Sequence, residues 1–386
     1  MKVLYDAQIF HMQRVGGISR LFTELFRELA RRSGIEWKIE LDFPHNAYIR
    51  SLEQEQGALT SYSKYLAGID FKGKGRLFEG WKRLTFGKPE RQRTIRQLRA
   101  RKVDVFHPTY YDDYFLSYVA GTPLVLTVYD MIHELFPQFL SDSATVEKKA
   151  RLIEKADCVI AISENTKADL VRLTGVRAEK VTVVHLAGSL IPGVTDCRKT
   201  LKKPDKYLLF VGQRGGYKNF ERFFRAIAPL MQKDPDLFLV CLGGKSASGD
   251  FLPSEKDLIV SKGLSSRVVL RFAPDSDVAL WYRNAICLVF PSLYEGFGLP
   301  LLEAFNCGCP VAASNTSSFP EVGGEAVVYF DPESIDSIRD IVGELLASTE
   351  QRKDLVGKGF SRGSEFSWSG TAEKTIQVYQ KACDLC

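Results

Sequence analysis

The chain has 386 residues, a length that corresponds to two or three domains of ordinary size. Its 45% hydrophobic and 26% charged residues are typical of a globular protein and exclude collagen, a coiled coil and global disorder. The 52 Lys and Arg residues outnumber the 47 Asp and Glu residues by a net charge of only +5, so overall charge does not indicate nucleic-acid binding.

No membrane-spanning or secreted segment is predicted. The longest apolar runs, such as 123–128 and 181–186, are far shorter than the ~20 residues that span a bilayer. The first residues reach an acid at Asp6 and contain no apolar signal-peptide core, so we expect a cytoplasmic protein. The eight cysteines show neither the density of a disulfide scaffold nor the spacing of zinc ligands.

Short apolar runs alternate with helical patterns in both halves of the chain. Such strands predict parallel sheets that helices cover on both faces, and therefore two doubly wound α/β domains. The predicted strands are 3–5, 37–43, 104–108, 124–129, 158–163 and 181–186 in the first half, and 207–212, 237–242, 268–272, 287–291, 310–314 and 326–330 in the second.

The domain boundary is predicted in 187–205, which contains two glycines and two prolines and has no hydrophobic period. The first domain then covers 1–188 and the second covers 205–368. A last helix is predicted over 369–382.

The most specific motif covers 288–308, where a buried strand, a Gly-rich turn and a helix follow one another. Glu295 lies on the turn. The backbone N–H groups of Gly298 and Leu299 would face a crevice, where a helix N-terminus favours a diphosphate. Glu303, one turn into the helix, can accept hydrogen bonds from a ribose diol. The alternative is an ordinary strand–helix unit with an acid in its first turn.

Two further Gly-rich loops follow predicted strands. In 210–219, Arg214 and Lys218 lie beside a helix N-terminus and suit a pyrophosphate, whose charge they could stabilise without a metal as it leaves. In 15–20, Gly17 would let a ligand approach the backbone closely. Solvated loop cations and a plain turn are the alternatives.

A metal site has only weak support. Asp275-Ser276-Asp277 matches the Asp-x-Asp pattern of metal-dependent sugar transferases, but the same residues suit a helix N-cap. We expect no metal and no cofactor.

The basic segment 72–102 carries twelve cations and two acids, with three aromatic residues among them and Phe71 directly before it. This combination suits docking on an anionic membrane surface. A solvated surface and nucleic-acid binding are the alternatives. The residues expected to carry docking are Arg76, Trp81, Lys82 and Arg83.

The Glu-x7-Glu motif, the Gly-x-Arg-x3-Lys-Asn loop and the N-terminal Gly-Gly turn together resemble glycosyltransferase family 4, the retaining sugar-nucleotide transferases of the GT-B fold. The 214–219 loop is similar to those of bacterial mannosyltransferases that build O-antigen or other surface polysaccharide. The resemblance implies two Rossmann-like domains that face a cleft, the first on the acceptor side. It also implies that the helix in 369–386 returns to the first domain.

The resemblance also implies roles for individual residues. Arg214 and Lys218 would hold the donor diphosphate and, with Glu295, form the catalytic set. Glu303 would bind the ribose, and Gly17 would approach the donor from across the cleft. The transferred sugar would contact Glu295 and the backbone of Gly296, Phe297, Gly298 and Leu299.

The chain departs from the family after its fourth strand. Many members have a His-Asp pair there, whereas this chain has Tyr129 and Asp130, with His133 three residues on. Asp130 and His133 are therefore the acceptor-side candidates. His133 either replaces the family histidine or is an ordinary loop histidine.

The resulting expectation is a metal-independent retaining glycosyltransferase with a glycan or lipid-linked acceptor. GDP-mannose is the first donor expected and a UDP-sugar the second. A sugar-nucleotide epimerase of the same fold is one alternative. A basic, non-enzymatic nucleic-acid-binding protein is the other.

Overall fold

The computed structural model describes residues 1–42, 46–57, 73, 88–140, 142–190, 203–243, 250–273 and 275–385. Within these ranges the first half contains β1 (Lys2–Tyr5), β2 (Glu36–Ile39), β3 (Val105–His107), β4 (Val125–Val128), β5 (Cys158–Ala161) and β6 (Val181–Val183). The second half contains β7 (Lys206–Val211), β8 (Leu237–Leu242), β9 (Val268–Arg271), β10 (Cys287–Phe290), β11 (Val311–Ser314) and β12 (Val327–Phe330).

The described helices alternate with these strands. In the first half they are α1 (Gln8–Met12), α2 (Gly17–Ala30), α3 (Ala47–Gln56), α4 (Lys88–Arg99), α5 (Ile132–Leu135), α6 (Ser143–Lys155) and α7 (Glu164–Thr174). In the second half they are α8 (Phe220–Lys233), α9 (Pro253–Ser261), α10 (Asp275–Asn284), α11 (Leu299–Asn306), α12 (Phe319–Gly323), α13 (Ile335–Ala347), α14 (Thr349–Ser364) and α15 (Trp368–Asp384).

The strands form two parallel, doubly wound arrangements, as predicted. In the first half the orders are β2-β1-β3 and β4-β5-β6, and a parallel bridge between Phe106 and Leu124 joins the two sets. In the second half a single sheet has the order β12-β11-β10-β7-β8-β9. Every predicted apolar run overlaps one strand. The run 37–43 extends past the end of β2 because β1, its partner, ends where Tyr5 pairs with Ile39.

The order of the second sheet sets the position of a crevice. Strands β7 and β10 are neighbours, although β8 and β9 lie between them in the chain. Crossovers leave opposite sides of the sheet at such a point, so ligands bind outside the carboxyl ends of the strands there. The loops 212–219 and 291–298, which carry two of the predicted motifs, both begin at this edge.

An amphipathic helix illustrates how the second domain builds its core. In α8, Phe220, Phe223, Phe224, Ile227 and Met231 are all buried. Their spacing of three and four residues places them on one face of the helix, toward the sheet. Burial of each such side chain contributes about 1.5–3 kcal/mol, which holds the loop before the helix against the sheet edge.

The last helix packs on the first domain. In α15 the Tyr379 hydroxyl lies 2.6 Å from the Tyr5 hydroxyl and 2.7 Å from His107 Nδ1. His107 is buried, and its Nε2 lies 2.8 Å from Thr127 Oγ1. Burial lowers the pKa of His107 to about 3, so this histidine is a neutral core residue.

The basic segment is described only in part. Arg76, Trp81, Lys82 and Arg83 lie outside the described residues. In α4, Arg91 pairs with Asp112 and Arg93 with Glu40, so these two cations are partnered inside the first domain. Within the described part of the chain, none of the helices is both long and apolar enough to cross a membrane.

Candidate functional site

The loop after β7 is held in place by Asn219, which has a positive φ of 59°. Its Nδ2 donates hydrogen bonds to the carbonyl oxygens of Pro291 (3.1 Å) and Pro332 (2.8 Å), which belong to two other loops at the same sheet edge. These bonds offset the strain of the left-handed conformation. They also place Lys218, the preceding residue, over the end of β10.

Lys218 and Glu295 meet at this edge, and their side chains are each 15% exposed. The Lys218 ammonium ion pairs with Glu295 Oε1, to which the Ser292 hydroxyl also donates a hydrogen bond of 2.8 Å. Two motifs 77 residues apart in sequence are thus joined by a charge-assisted bond. The pair supplies a cation and a carboxylate side by side, the chemistry that phosphate oxygens and sugar hydroxyls require.

The backbone of Glu295 is anchored by two serines. Its N–H donates to Ser317 Oγ (3.1 Å), and its carbonyl accepts from Ser317 (2.5 Å) and Ser318 (3.0 Å). The sequence motifs predict no individual role for these serines. Their signal is a run of small hydroxyl residues, Thr316 to Ser318, directly after the strand β11. The Glu295 turn is therefore positioned from a third loop.

Arg214 lies on the same loop as Lys218, but its guanidinium points into the second domain. It is buried, and its Nε donates to Glu255 Oε2 at 3.1 Å. Its Nη1 and Nη2 donate to the carbonyl oxygens of Gly243 (3.0 Å) and Asp250 (3.3 Å). The structure thus brings Lys218, but not the Arg214 guanidinium, into contact with Glu295.

Glu303 lies in α11, which begins after Gly298 in a left-handed conformation (φ 97°). The Glu303 side chain is 13% exposed, and Tyr282 donates to its Oε2 at 3.1 Å. Across the cleft, Arg20 Nη1 lies 3.4 Å from Glu303 Oε1, and Arg20 Nη2 donates to Tyr48 (2.7 Å). Arg20 ends the predicted Gly-Gly segment 15–20, but the sequence motifs predict no role for it in the site.

Close backbone approaches bring the two domains together. A Cβ at Gly296 would lie 1.8 Å from the carbonyl oxygen of Tyr129, and a Cβ at Gly17 would lie 3.3 Å from Leu299 Cδ1. The Gly296 carbonyl accepts hydrogen bonds from Ser163 (2.7 Å) across the cleft. Both predicted glycines therefore lie where the domains face each other.

Phe297 packs beside a second interdomain contact. Its ring centroid is 6.0 Å from that of His185, whose Nε2 lies 2.7 Å from Glu321 Oε1. Glu321 also accepts hydrogen bonds from the backbone N–H groups of Glu164 and Asn165 at the start of α7. Burial raises the pKa of the Glu321 carboxyl, but these hydrogen bonds outweigh it and hold the pKa below its usual value.

Asp130 lies on the first-domain side of the cleft. Its Oδ1 accepts a hydrogen bond from Ile132 N–H (3.0 Å), and its carbonyl accepts one from Lys149 (3.1 Å). Lys149 is completely buried and also pairs with Glu134 at 2.8 Å. Burial, followed by the charges of Glu295 and Asp130, raises the pKa of the Tyr217 hydroxyl above its usual value.

Tyr129, at the position of the family's histidine, and His133, three residues after Asp130, have different environments. The Tyr129 hydroxyl donates to the carbonyl of Thr109 (2.8 Å) inside the first domain, so Tyr129 stabilises the loop structure. His133 lies in α5, and its buried Nδ1 makes no hydrogen bond to any described residue.

The described residues contain no group of three or more His, Cys, Asp and Glu side chains arranged to hold a metal ion. Asp275 begins α10, and Asp277 lies in its first turn. The expectation that no metal or cofactor takes part stays a prediction.

Two family models match the chain. The model described as Glycosyltransferase Family 4 covers residues 15–187, and the model described as Glycosyl transferases group 1 covers residues 195–362. Together they include the Gly17 turn, the Lys218 loop and the Glu-x7-Glu motif.

Known relatives agree with these models. The chain is 29% identical over 237 residues to the O-antigen chain mannosyltransferase B of Escherichia coli, which covers 59% of this chain and 61% of that protein. It is 30% identical over 317 residues to the D-inositol 3-phosphate glycosyltransferase of Streptosporangium roseum, which covers 75% of this chain and 72% of that protein.

A solved structure shares the fold over nearly its whole length. The sucrose-phosphate synthase of Thermosynechococcus elongatus superposes with a TM-score of 0.72 at 20% identity, over 99% of this chain and 98% of that one. Two Rossmann-like domains face a cleft, which is the GT-B arrangement. The chain belongs to the glycosyltransferases that join a family 4 domain to a group 1 domain.

Proposed function

We propose that this protein transfers a sugar, with retention of its anomeric configuration, from a nucleotide diphosphate donor to an acceptor hydroxyl. The observation that carries the proposal is the contact between Lys218 and Glu295 at the switch point of the second sheet. The products would be a nucleoside diphosphate and the glycosylated acceptor.

The chemistry of the pair supports this reaction. As the bond between the sugar and the diphosphate breaks, negative charge develops on the departing oxygen, and a cation fixed beside it stabilises the transition state. Lys218 is already positioned by Asn219 and by Glu295, so little reorganisation is needed. Glu295 can accept hydrogen bonds from hydroxyls of the transferred sugar, and Glu303 can accept them from the ribose.

The donor proposed first is GDP-mannose, because one relative is a mannosyltransferase of O-antigen synthesis. A UDP-sugar is second. The acceptor proposed is a glycan or a lipid-linked glycan of surface polysaccharide synthesis. The match spans only 61% of the length of that mannosyltransferase, so the donor sugar and the acceptor must both be identified by experiment.

A thermal-shift panel of GDP-mannose, UDP-glucose and UDP-N-acetylglucosamine tests the donor site. A ligand at 100 times its Kd stabilises the folded protein by about 2.7 kcal/mol, which raises Tm measurably. We expect GDP-mannose to give the largest shift and Lys218→Ala to reduce it, whereas the matched surface variant Lys233→Ala keeps it. A panel in which no nucleotide sugar raises Tm contradicts the proposal.

The second candidate is a sugar-nucleotide epimerase, because the same cleft could act on the donor alone. NMR spectra of donor and enzyme without acceptor separate the two reactions. Conversion of the donor to an isomer supports the epimerase, while a stable donor that is consumed only with an acceptor supports transfer.

For the basic segment we propose reversible docking on the inner face of the cell membrane. Each cation near an anionic surface contributes about 1 kcal/mol, and salt screens this attraction. Flotation with anionic vesicles should weaken with added salt and with replacement of Arg76, Trp81, Lys82 and Arg83. Equal flotation with neutral vesicles contradicts docking. Salt-dependent retention on RNA, without any effect of sugar nucleotides on Tm, would instead favour nucleic-acid binding.

A further inference from the structure

A cavity of about 660 Å³ lies in the first domain, at the carboxyl edge of β1, β2 and β3. Its walls come from α1, α4, the loop after β3 and the start of α6. The volume is in the range of small-molecule binding sites. Lys218, Glu295 and Glu303 are not part of its lining, so the cavity is separate from the proposed donor site.

The walls combine aromatic rings with hydrogen-bonding groups. Tyr110, Tyr111 and Tyr114 supply the rings, and Gln8 and Asp112 supply polar groups. Gln8 is fixed by a hydrogen bond from its Nε2 to the carbonyl of Asp112 (3.0 Å) and by one from the Asp112 N–H to its Oε1 (2.7 Å). Rings beside fixed donors and acceptors suit a ligand with apolar faces and many hydroxyls.

One polar wall group is only weakly partnered within the protein. The Thr94 hydroxyl is buried and interacts with the Tyr114 hydroxyl, but it makes no hydrogen bond of good geometry with any described residue. A buried hydroxyl without a hydrogen bond of good geometry is costly, and a ligand hydroxyl in the cavity would satisfy it. Nearby, each Glu90 oxygen already has one partner within the protein, because Oε2 lies 2.5 Å from His11 Nε2 and Oε1 accepts a hydrogen bond of 2.5 Å from the Asp42 N–H.

The charges favour a neutral ligand over a phosphate. The two cations of the lining, Arg91 and Lys148, both pair with Asp112. Two further acids, Glu40 and Glu90, belong to the same walls. An anionic ligand would have to displace Asp112 from both cations while it approached these carboxylates.

Packed tyrosines lie between the cavity and the cleft. The Tyr110 ring stacks on Tyr129 with centroids 6.3 Å apart, and Tyr111 Oη accepts a hydrogen bond from the Tyr129 N–H (3.0 Å). Tyr129 in turn meets Gly296, the residue after Glu295. An acceptor whose reacting end lies in the cleft could therefore extend along the outside of this tyrosine wall and place its earlier sugars in the cavity.

We propose that this cavity is a distal acceptor subsite that binds a neutral oligosaccharide, one or two sugars away from the hydroxyl that reacts. The inference rests on the proposed glycosyl transfer and adds the part of the acceptor that the protein recognises. Met12, 60% exposed at the cavity lining, allows the entrance to be closed without disturbing the core.

The test measures binding of α-linked mannotriose and of maltotriose to the full chain by calorimetry. Met12→Trp should weaken binding of whichever trisaccharide the protein takes by at least tenfold, and Thr94→Val should weaken it about threefold. Val260→Trp is the matched control, because Val260 is 66% exposed in α9 of the other domain. The GDP-mannose thermal shift should be equal in all four proteins, the unmodified chain included.

Three results would overturn the subsite. They are unchanged affinity in Met12→Trp, binding of neither trisaccharide while the donor shift persists, and displacement of a bound trisaccharide by millimolar inorganic phosphate. Absence of any donor shift would instead count against the proposed glycosyl transfer. Trisaccharide binding lost only in the cavity variants would still place a sugar site here.

Discussion

The two sides of the cleft are built differently. On the second-domain side, Lys218, Glu295 and Glu303 come from two short segments that follow the adjacent strands β7 and β10. On the first-domain side, the Gly17 turn, Asp130 and the cavity walls come from α1, α2, α4, α6 and the loops after β3 and β4. The proposed donor-binding residues thus lie within two short sequence motifs, whereas the residues of the proposed acceptor surface come from many elements and meet only in the folded domain.

The comparison extends to the basic side chains of each region. Lys218 is placed in the cleft beside Glu295, but Arg214, four residues earlier, is buried against Glu255 and two carbonyl groups. In the first domain the buried Lys149 has a similar supporting position beneath Asp130. Basic side chains therefore lie either in the cleft, where they could bind a ligand, or in the interior, where they stabilise the fold. Substitutions distinguish these two roles.

Arg214→Ala should have the largest effect, and it should act on stability. Removal of one member of a buried ion pair costs about 3–5 kcal/mol, because Glu255 keeps a buried charge without its partner. Urea unfolding measures this loss. The double variant Arg214→Ala/Glu255→Gln should recover part of it. A stable Arg214→Ala protein with a hundredfold lower kcat would make Arg214 a residue of the diphosphate site alone.

Lys218→Ala should lower kcat about a hundredfold, equal to about 2.7 kcal/mol of transition-state stabilisation, with a much smaller loss of stability than Arg214→Ala. The loss of stability is small because Lys218 lies in the cleft, and its partner Glu295 keeps the hydrogen bond from Ser292. Steady-state kinetics with the donor identified by the thermal-shift panel provides the measurement, and Lys233→Ala is the surface control. Near-normal turnover would remove Lys218 from the catalytic set.

Gly296→Ala should disturb the contact between the two sides of the cleft. Its Cβ would lie 1.8 Å from the Tyr129 carbonyl oxygen, a backbone atom that cannot move without the loop. Overpacking of this kind costs about 1–3 kcal/mol of stability, and the loop must shift to relieve it. Because Gly296 is next to Glu295, the same shift displaces the proposed site, and we expect kcat/KM to fall about tenfold.

The matched control for Gly296→Ala is Gly215→Ala in the Lys218 loop. A Cβ there has its nearest neighbour at 4.0 Å, and the φ of −79° suits alanine. Equal kinetics for the two alanine variants would show that the contact between Gly296 and Tyr129 does not limit the reaction.

Glu303→Gln should raise the donor KM about tenfold with a smaller change in kcat, a difference of about 1.4 kcal/mol in ground-state binding. Glu303 is fixed by Tyr282 and Arg20, which suits a constant hydrogen bond to ribose. Glu295→Gln should mainly lower kcat. The exposed Glu344→Gln is the control for both. If neither KM nor kcat changes in either variant, the donor site lies elsewhere.

Removal of divalent metal should have the smallest effect. Because Lys218 is the cation that the proposed transfer places beside the leaving diphosphate, activity in excess EDTA should equal activity without EDTA. Loss of activity in EDTA that Mn²⁺ restores would instead assign a metal to Asp275 and Asp277.

Much of the fold and part of the site could be predicted from the order of residues. All twelve predicted apolar runs overlap a strand, and the last helix extends over Trp368–Asp384. The motif residues Lys218 and Glu295, which the family resemblance assigns to one donor site, contact each other in the structure. The direction of the Arg214 side chain could not be predicted, because it depends on Glu255 in α9 and on carbonyl groups beyond β8.

Sequence alone determined the elements of this protein, since hydrophobic period, glycine turns and helix starts are properties of neighbouring residues. It also determined which residue types stand at the ends of β7 and β10. Only the tertiary structure decided that Arg20 reaches Glu303 across the cleft, that Tyr129 meets Gly296, and that a cavity opens beside Tyr110. The first two contacts join segments more than a hundred residues apart, and the cavity is enclosed by several elements. Packing and strand order therefore determine them, and no pattern of neighbouring residues predicts them.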